Sequence, residues 1–286
     1  MIHLKIGGVP EHFNLPWRLC IEEGLFEAKN ICLEWIDHAG GTGSMTKALR
    51  EGDLDMAICL TEGIVADIVK GNGAKIVKVY VSSPLTWGIY VSQNSPYKHI
   101  QDLAGKRFAI SRYGSGSHLM AFVKAKNLGW DTKAINFVPL KNLEGIRAGL
   151  AGGLADAFMW EKVMTQPFVD SGELRLVDEC VTPWACFVLA VRNDVLENHL
   201  PAVQEICDTI NLYVKNFKQR PHIVEILAQR YQIDLEDTVH WLHQTLWAEN
   251  NVVSDEMIAL VQDTLLNLGV IEQKKQYAEI VARLKN

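Results

Sequence analysis

The sequence has no long hydrophobic run and no excess of positive charge. No apolar stretch approaches the roughly 18–20 residues that a membrane-spanning helix needs, so we expect no membrane span. The 286 residues include 28 lysines and arginines against 34 aspartates and glutamates, a formal net charge of −6. Because nucleic-acid-binding proteins are usually basic, this balance argues against a nucleic-acid partner.

The signatures of several catalytic and cofactor sites are also missing. The 6 cysteines form no Cys-x-x-Cys pair, so a zinc or iron–sulfur site has no local signature. His240 and His243 are spaced for one helix face, but no third metal ligand lies nearby in the sequence. No Gly-x-Ser-x-Gly elbow occurs, and no Gly-rich loop ends in the Lys-Ser or Lys-Thr pair of a Walker loop. We therefore expect no metal ion and no cofactor, and we assign no catalytic residue.

The first residues alternate like a β-strand and show none of the parts of a secretory leader. A basic segment, an apolar core and a small-residue cleavage site are all missing. Most cysteines lie in apolar runs, such as Cys59 within residues 56–60, and unpaired buried thiols fit a reducing compartment. We expect a cytoplasmic protein as the sequence stands, and a periplasmic or lipid-anchored one if a leader has been removed.

What the sequence does contain is an alternation of strands and helices that runs twice. Hydrophobic residues make up 48% of the chain, which is typical of globular proteins, and the length suits two domains. Hydrophobic patterning predicts a first set of strands at residues 4–8, 32–36, 56–60 and 75–81, with helices at 15–23, 44–50 and 64–69. It predicts a second set of strands at residues 107–111, 135–138 and 155–159, with helices at 117–127 and 144–150.

A short internal repeat links the two sets. Leu49, Gly52 and Asp55 precede the strand at residues 56–60. With the same spacing, three matching residues precede the strand that ends at Met159, namely Leu150, Gly153 and Asp156. The repeat predicts two similarly wound α/β lobes. From about residue 200 the apolar residues recur at helical spacing, which predicts helices at residues 202–217, 223–231, 235–247, 255–268 and 276–284, with Ser254 as an N-cap.

The order of these motifs resembles a known superfamily. After a strand that ends in glycine come Glu23-Gly24-Leu25-Phe26, Leu33-Glu34-Trp35, a Gly-rich turn, Ala48-Leu49-x-x-Gly52-x-x-Asp55 and Asp102-Leu103-x-Gly105-Lys106. Together they resemble the type 2 periplasmic-binding-protein superfamily, from about residue 4 to about residue 230. Within it, they resemble the branch that serves aliphatic sulfonate, taurine, nitrate and thiamine-pyrimidine transporters.

The resemblance implies an α/β fold of two similar lobes with a ligand cleft between them, plus C-terminal helices. Two crossover strands, near residues 81–91 and 183–191, would join the lobes. Residues 1–85 and 186–286 would form lobe 1, and residues 86–185 lobe 2. The implied function is that of an ABC-transporter substrate-binding protein, which closes about a hinge on a small polar or heterocyclic ligand. An ABC permease would be its partner if the chain is secreted.

Ligands of open α/β sheets bind beyond the carboxyl ends of the strands, and this rule selects the candidate ligand-binding residues. In the first lobe they are His12, Asn14, Thr42, Thr61 and Glu62. In the second lobe they are Arg112, Ser115, Gly116, Ser117, Trp160 and Glu161. The Gly-rich loops and the arginine suit an anionic group, whereas the glutamates and the tryptophan suit an amine or a flat heterocycle.

Several alternatives stay open on the sequence. The glycines could serve tight turns, Ser115 could cap a helix, and Glu62 and Glu161 could complement helix starts. Trp35 and Trp241 are interpreted as packing residues. The chain could also be a cytoplasmic enzyme on the same fold, of the thiamine-pyrimidine or menaquinone-pathway type, or a ligand-sensing regulatory module. The cysteine-rich cluster of the fungal thiamine-pyrimidine synthases is not present.

Overall fold

A computed structural model describes residues 1–285 and divides the chain into two compact units. Unit 1 consists of Met1–Ser83 and Trp184–Asn286, and unit 2 consists of Pro84–Pro183. Each unit is built on a five-stranded sheet with flanking helices. The chain enters unit 2 once and returns once, so unit 1 is discontinuous in sequence.

Unit 1 combines the first four strands of the chain with the last one and carries the C-terminal helices. Its strands are β1 (Ile2–Gly8), β2 (Ile31–Asp37), β3 (Met56–Leu60), β4 (Ala74–Val81) and β10 (Phe187–Arg192). Its first helices are α1 (Leu15–Glu22), α2 (Thr42–Glu51) and α3 (Thr61–Val69). Its later helices are α7 (Asn193–Lys215), α8 (Ile223–Tyr231), α9 (Leu235–Gln244), α10 (Asp255–Asn267) and α11 (Tyr277–Ile280).

The sheet of unit 1 has the order β2-β1-β3-β10-β4. β1 pairs in parallel with β2 and with β3, whereas β10 runs antiparallel between β3 and β4. The first four residues of β3 are fully buried, because helices cover the sheet and an apolar strand can then lie at its centre. The carboxyl ends of β1, β2 and β3 therefore share one edge, and the residues that follow them lie there.

Unit 2 repeats this arrangement with its own elements. Its strands are β5 (Thr86–Ser92), β6 (Arg107–Ile110), β7 (Asn136–Pro139), β8 (Ala157–Glu161) and β9 (Leu174–Val181). Its helices are α4 (Gly116–Asn127), α5 (Leu143–Ala151) and α6 (Lys162–Asp170). The strand order is β7-β6-β8-β5-β9, with β6 parallel to β7 and β8, and β5 antiparallel to β8. The predicted fold class of two similar lobes is confirmed.

The internal repeat seen in the sequence has a structural cause. A carboxylate oxygen of Asp55 accepts a hydrogen bond of 2.8 Å from the backbone N–H of Lys5. The equivalent oxygen of Asp156 accepts one of 2.9 Å from the backbone N–H of Arg107. Each aspartate lies directly before one parallel strand, and its carboxylate binds the backbone of the neighbouring parallel strand. The repeated acidic residue is a strand-to-strand connection.

Some predicted elements differ from the structure for local reasons. The helical pattern is not visible in the sequence of α6, because Pro167 lies inside this helix. α7 begins at Asn193 rather than near residue 202, because two helical pieces join across His199, whose φ of −134° is not helical, just before Pro201. α11 is a single turn, much shorter than expected. At Ser254, by contrast, the side chain caps the helix N-terminus.

Within residues 1–285, no helix is long and apolar enough to cross a membrane. The cysteines are all free thiols, and five of them are buried. The same residues contain no group of three or more His, Cys, Asp or Glu side chains that could hold a metal ion.

Candidate ligand-binding site

Thr61 directly follows β3, as the strand rule predicted, and Thr42, which the rule placed after the second strand, also contacts the end of β3. The hydroxyl of Thr42 accepts a 2.9 Å hydrogen bond from the backbone N–H of Leu60, the last residue of the strand. The hydroxyl of Thr61 donates to the carbonyl oxygen of Ala185 at 2.5 Å. The chain just before β10 is thereby fixed to the start of α3. Both threonines are buried and serve bonds within unit 1.

Glu62 is the buried acid of this edge. It lies in the first turn of α3 and is 0% exposed. Its Oε2 accepts a 2.8 Å hydrogen bond from the indole N–H of Trp184, whereas its Oε1 has no hydrogen-bond partner among the described residues. Burial raises the pKa of this carboxyl group to about 6, although the hydrogen bonds to it oppose the shift. At neutral pH the group is a largely ionised carboxylate with one unused oxygen.

His12 and Asn14 occupy a short 3-10 helix just after β1. The ring of His12 is 0% exposed and lies 4.2 Å from the ring of Trp241 and 4.7 Å from that of Phe13, centroid to centroid. Both ring nitrogens lack a partner among the described residues, and burial lowers the pKa of His12 to about 3. The imidazole is therefore neutral at physiological pH.

Asn14 directly precedes α1 but its side chain does not cap the helix. Its amide donates a 2.8 Å hydrogen bond to the carbonyl oxygen of Val9, and no side-chain cap forms at the helix start. The side-chain oxygen of Asn14 is buried and has no partner among the described residues. The residue therefore holds the loop after β1 and leaves an acceptor oxygen unused.

An aromatic contact joins the His12 loop to the end of β3. The ring of Phe13 lies 5.1 Å from that of Phe187, and Phe187 pairs with Leu60 in the sheet. The carbonyl oxygen of Phe13 also accepts hydrogen bonds from Tyr80 at 2.7 Å and from Trp247 at 3.1 Å. The loop is therefore fixed in place, and His12 and Glu62 belong to the same edge of the unit 1 sheet.

In unit 2, the loop after β6 is organised around the start of α4. Ser115 is the N-cap, since its hydroxyl accepts from the backbone N–H of His118 at 3.3 Å. Its oxygen lies 3.0 Å from that of Ser117, which accepts from the backbone N–H of Ser111 at 3.3 Å. Gly116 is the first residue of the helix. The capping interpretation of Ser115 is therefore correct, whether or not a ligand also contacts the loop.

Arg112 and Trp160 are only partly buried members of the unit 2 edge. Burial lowers the pKa of the Arg112 guanidinium from its ordinary value, which still leaves it charged at neutral pH. Trp160 and Glu161 were expected to follow a strand, but they are the last two residues of β8. The strand runs two residues further than the apolar pattern indicated, because it pairs with Gly88 and Trp87 of β5.

Glu161 is buried and caps α6, accepting a 2.7 Å hydrogen bond from the backbone N–H of Met164. Glu161 therefore complements a helix start, which was the alternative interpretation of this residue. A contact between Glu161 and a ligand stays a prediction. The indole N–H of its strand partner Trp87 is buried and has no partner among residues 1–285. Unit 2 thus also contains a buried polar atom that the described residues leave unused.

Three further residues of the unit 1 edge have surroundings that only the folded structure shows. Trp241 is a packing residue as expected, but it packs on His12, which only the folded position of α9 reveals. Trp184 holds Glu62, although the two residues are 122 positions apart. Glu11 is partly exposed, yet burial of its carboxyl group raises its pKa to about 7. Its place directly before His12 was the available signal.

These observations define a class of protein: two α/β units of equal topology, with polar residues at the carboxyl ends of their parallel strands. Comparison with known proteins places the chain within this class. A family model described as Ca3427-like PBP matches residues 87–180. No curated protein matches the chain.

Solved structures match nearly the whole chain. The CA3427 gene product of Candida albicans, described as having the generic periplasmic binding protein fold, is 27% identical, with 99% of this chain and 96% of that one covered and a TM-score of 0.90. The alkanesulfonate-binding protein SsuA of Xanthomonas axonopodis pv. citri, bound to MOPS, is 20% identical, with 99% of both chains covered and a TM-score of 0.85. The periplasmic nitrate-binding protein NrtA of Synechocystis PCC 6803 is 13% identical, with 95% and 82% covered and a TM-score of 0.71.

The resemblance to the type 2 periplasmic-binding-protein superfamily is therefore confirmed. The sulfonate-binding and nitrate-binding proteins share the fold of this chain.

Proposed function

We propose that this chain is a solute-binding protein for a small polar or heterocyclic ligand. One observation carries the proposal: His12, Asn14 and Glu62, at one edge of the unit 1 sheet, all contain buried polar atoms without a partner among the described residues. Leaving such an atom unsatisfied costs about 1–3 kcal/mol. A site that binds a polar ligand explains this cost, because the ligand supplies the missing hydrogen bonds.

Native mass spectrometry of gently purified protein tests this proposal directly. We expect a bound small molecule that is released on denaturation and that rebinds in calorimetry. His12→Ala should weaken rebinding by roughly tenfold or more, the effect of about 1.4 kcal/mol. His240→Ala, a change at an exposed histidine of α9, should leave affinity unchanged. Protein that carries no ligand and binds no pyrimidine, sulfonate or amine would contradict the proposal.

We propose further that the ligand closes the two lobes upon each other, as hinged two-lobed binding proteins do. The expected result is a smaller radius of gyration in solution scattering when ligand is added. Tryptophan fluorescence should change with it, since Trp87, Trp160 and Trp184 lie at or beside strand ends of the candidate edges. Saturable binding with neither change would count against closure.

The cellular context is a separate proposal. A cytoplasmic location is supported by the free thiols of the chain, since such thiols persist in reducing compartments. Should the native protein be secreted, we propose an ABC permease as its partner. The genomic sequence upstream of Met1, together with cell fractionation, decides between the two settings.

A further inference from the structure

We propose that the ligand presents an N–H donor or a cationic amine to the unit 1 edge, where Glu62 accepts its hydrogen bond. The inference rests on the proposed solute-binding function and adds the chemical class of the ligand's buried end. It differs from what the sulfonate-binding and nitrate-binding neighbours bind, since both of those ligands are anions.

The two oxygens of the Glu62 carboxylate differ in their bonding. Oε2 of Glu62 is occupied by the indole N–H of Trp184 at 2.8 Å, which fixes the orientation of the group. Oε1 is buried and has no partner among residues 1–285. A carboxylate oxygen only accepts hydrogen bonds, so whatever completes it must be a donor. A single free oxygen fits one N–H rather than the paired donors of a guanidinium.

The negative charge of Glu62 favours a cationic or neutral donor over an anion. Moving a carboxylate into a buried site is costly unless a counter-charge or hydrogen-bond donors compensate it. A sulfonate or nitrate at the same place would put a second negative charge beside the first, and like charges at short distance in a low-dielectric site repel strongly. An ammonium or amino group instead supplies both the donor and, when charged, the compensating charge.

The surroundings of Glu62 include a second unused acceptor and several aromatic rings. Asn14 contributes a second unused acceptor oxygen at the same sheet edge. The indole and phenyl rings of Trp184, Phe13 and Phe187 line or adjoin this edge, and aromatic faces attract cations. The unused acceptors, the fixed carboxylate and the aromatic neighbours favour an amino group at Glu62, whereas neutral His12 offers one donor and one acceptor nitrogen elsewhere at this edge.

Three probes with one shared ring separate the chemical classes: benzylamine, benzyl alcohol and phenylmethanesulfonate. Binding to the full chain is followed by calorimetry and by ligand-observed NMR. We expect benzylamine to bind most tightly, benzyl alcohol weakly and the sulfonate not at all at this edge. The common ring keeps the apolar contribution similar, so the differences report on the polar group.

Two variants test whether Glu62 is the acceptor. Glu62→Gln keeps the shape and can still accept from Trp184, but it turns an NH₂ toward the ligand. We expect it to lower benzylamine affinity roughly ten- to a hundredfold, the effect of losing one charge-assisted hydrogen bond. Trp184→Phe keeps the carboxylate but removes the N–H that orients it, so we expect a clearly smaller loss of benzylamine affinity than in Glu62→Gln. Glu197→Gln, the same change on the exposed surface of α7, is the matched control and should have no effect.

The outcomes separate this inference from the proposed function. Equal losses in Glu62→Gln and Trp184→Phe would mean that Glu62 only positions the indole, and would overturn the inference. Binding of the sulfonate in place of the amine, or a native ligand without any N–H or cationic group, would overturn it while leaving solute binding intact. If no probe binds and native mass spectrometry finds no ligand of any class, the proposed function fails as well.

Discussion

At the scale of single residues, burial acts on His12 and Glu62 in the same physical sense. It favours the neutral form of each, so it lowers the pKa of the imidazole to about 3 and raises that of the carboxyl group to about 6. Neither group has all of its polar atoms satisfied within the described chain. Both residues are therefore costly for stability, which is expected at a binding site and unusual in an ordinary core.

His12 makes the stability of the protein depend on pH. Its pKa in the folded protein, about 3, lies below its ordinary value of 6.5. The contribution of the neutral ring to the free energy of unfolding is therefore fully present above pH 6.5. It is lost as the pH falls from 6.5 toward 3. His12→Phe keeps an aromatic ring but does not titrate. Between pH 7 and pH 4, the parent should lose about 3 kcal/mol more free energy of unfolding than this variant.

Urea denaturation at both pH values measures this difference. His240→Gln, a change at an exposed histidine of α9, is the control and should follow the parent. If His12→Phe and the parent show parallel pH profiles, the ring is not held neutral by burial.

The sequence predicts which residues follow the strands but not the partners of those residues. The strand rule led to Thr42, Thr61 and Glu62 because parallel strands end at one edge, which is a property of the backbone. It could not reveal that Trp184 donates to Glu62 or that Trp241 packs on His12. Those contacts join segments far apart in sequence, and only tertiary packing decides them.

At the scale of secondary-structure elements, Asp55 and Asp156 perform the same task in the two units. Each carboxylate accepts a hydrogen bond from a backbone N–H at the neighbouring parallel strand. Asp156 also forms an ion pair of 2.8 Å with the partly exposed guanidinium of Arg107. Because exposed ion pairs contribute little, the backbone hydrogen bond should dominate in both units.

We therefore expect Asp55→Ala and Asp156→Ala each to lower the free energy of unfolding by about 1–2 kcal/mol. Asp156→Ala should lower the free energy of unfolding by up to about 1 kcal/mol more than Asp55→Ala, because the ion pair with Arg107 is lost as well. The exposed neighbour Asp53 offers a control, and Asp53→Ala should change stability by less than about 0.5 kcal/mol. Chemical denaturation provides the values. A neutral Asp55→Ala would show that the repeated aspartate has no role in joining the strands.

Most elements could be predicted because their periodicity agrees with their surroundings. β3 is apolar throughout and buried, and α8 has the bounds that its helical spacing indicates. The failures have physical causes as well. An interior proline hides α6, and the kink at His199 joins two helical pieces into α7. In such places the tertiary structure overrides the local pattern.

At the scale of the whole molecule, the two units differ in how many segments of the chain form them. Unit 2 is one continuous segment, Pro84–Pro183, with its own buried core around Tyr90 and Phe158. Unit 1 needs both ends of the chain, because β10 lies between β3 and β4. Among residues 1–285, the strand partners of β4 are β10, Val281 and Trp247, and all of them follow unit 2 in the sequence.

Two truncated chains test this asymmetry. Residues 84–183 alone should unfold in one cooperative denaturant transition, since all five strands of that sheet and its core are present. Residues 1–183 should show the same transition with a similar m-value, because m follows the surface exposed on unfolding. In that longer chain β4 has no partner and β3 loses one edge, so the amides of the unit 1 segment should exchange rapidly while those of unit 2 stay protected. A fragment 84–183 without a cooperative transition would show that unit 2 needs unit 1 to fold. Protected amides in β4 of residues 1–183 would instead show that the first half of unit 1 is stable without β10.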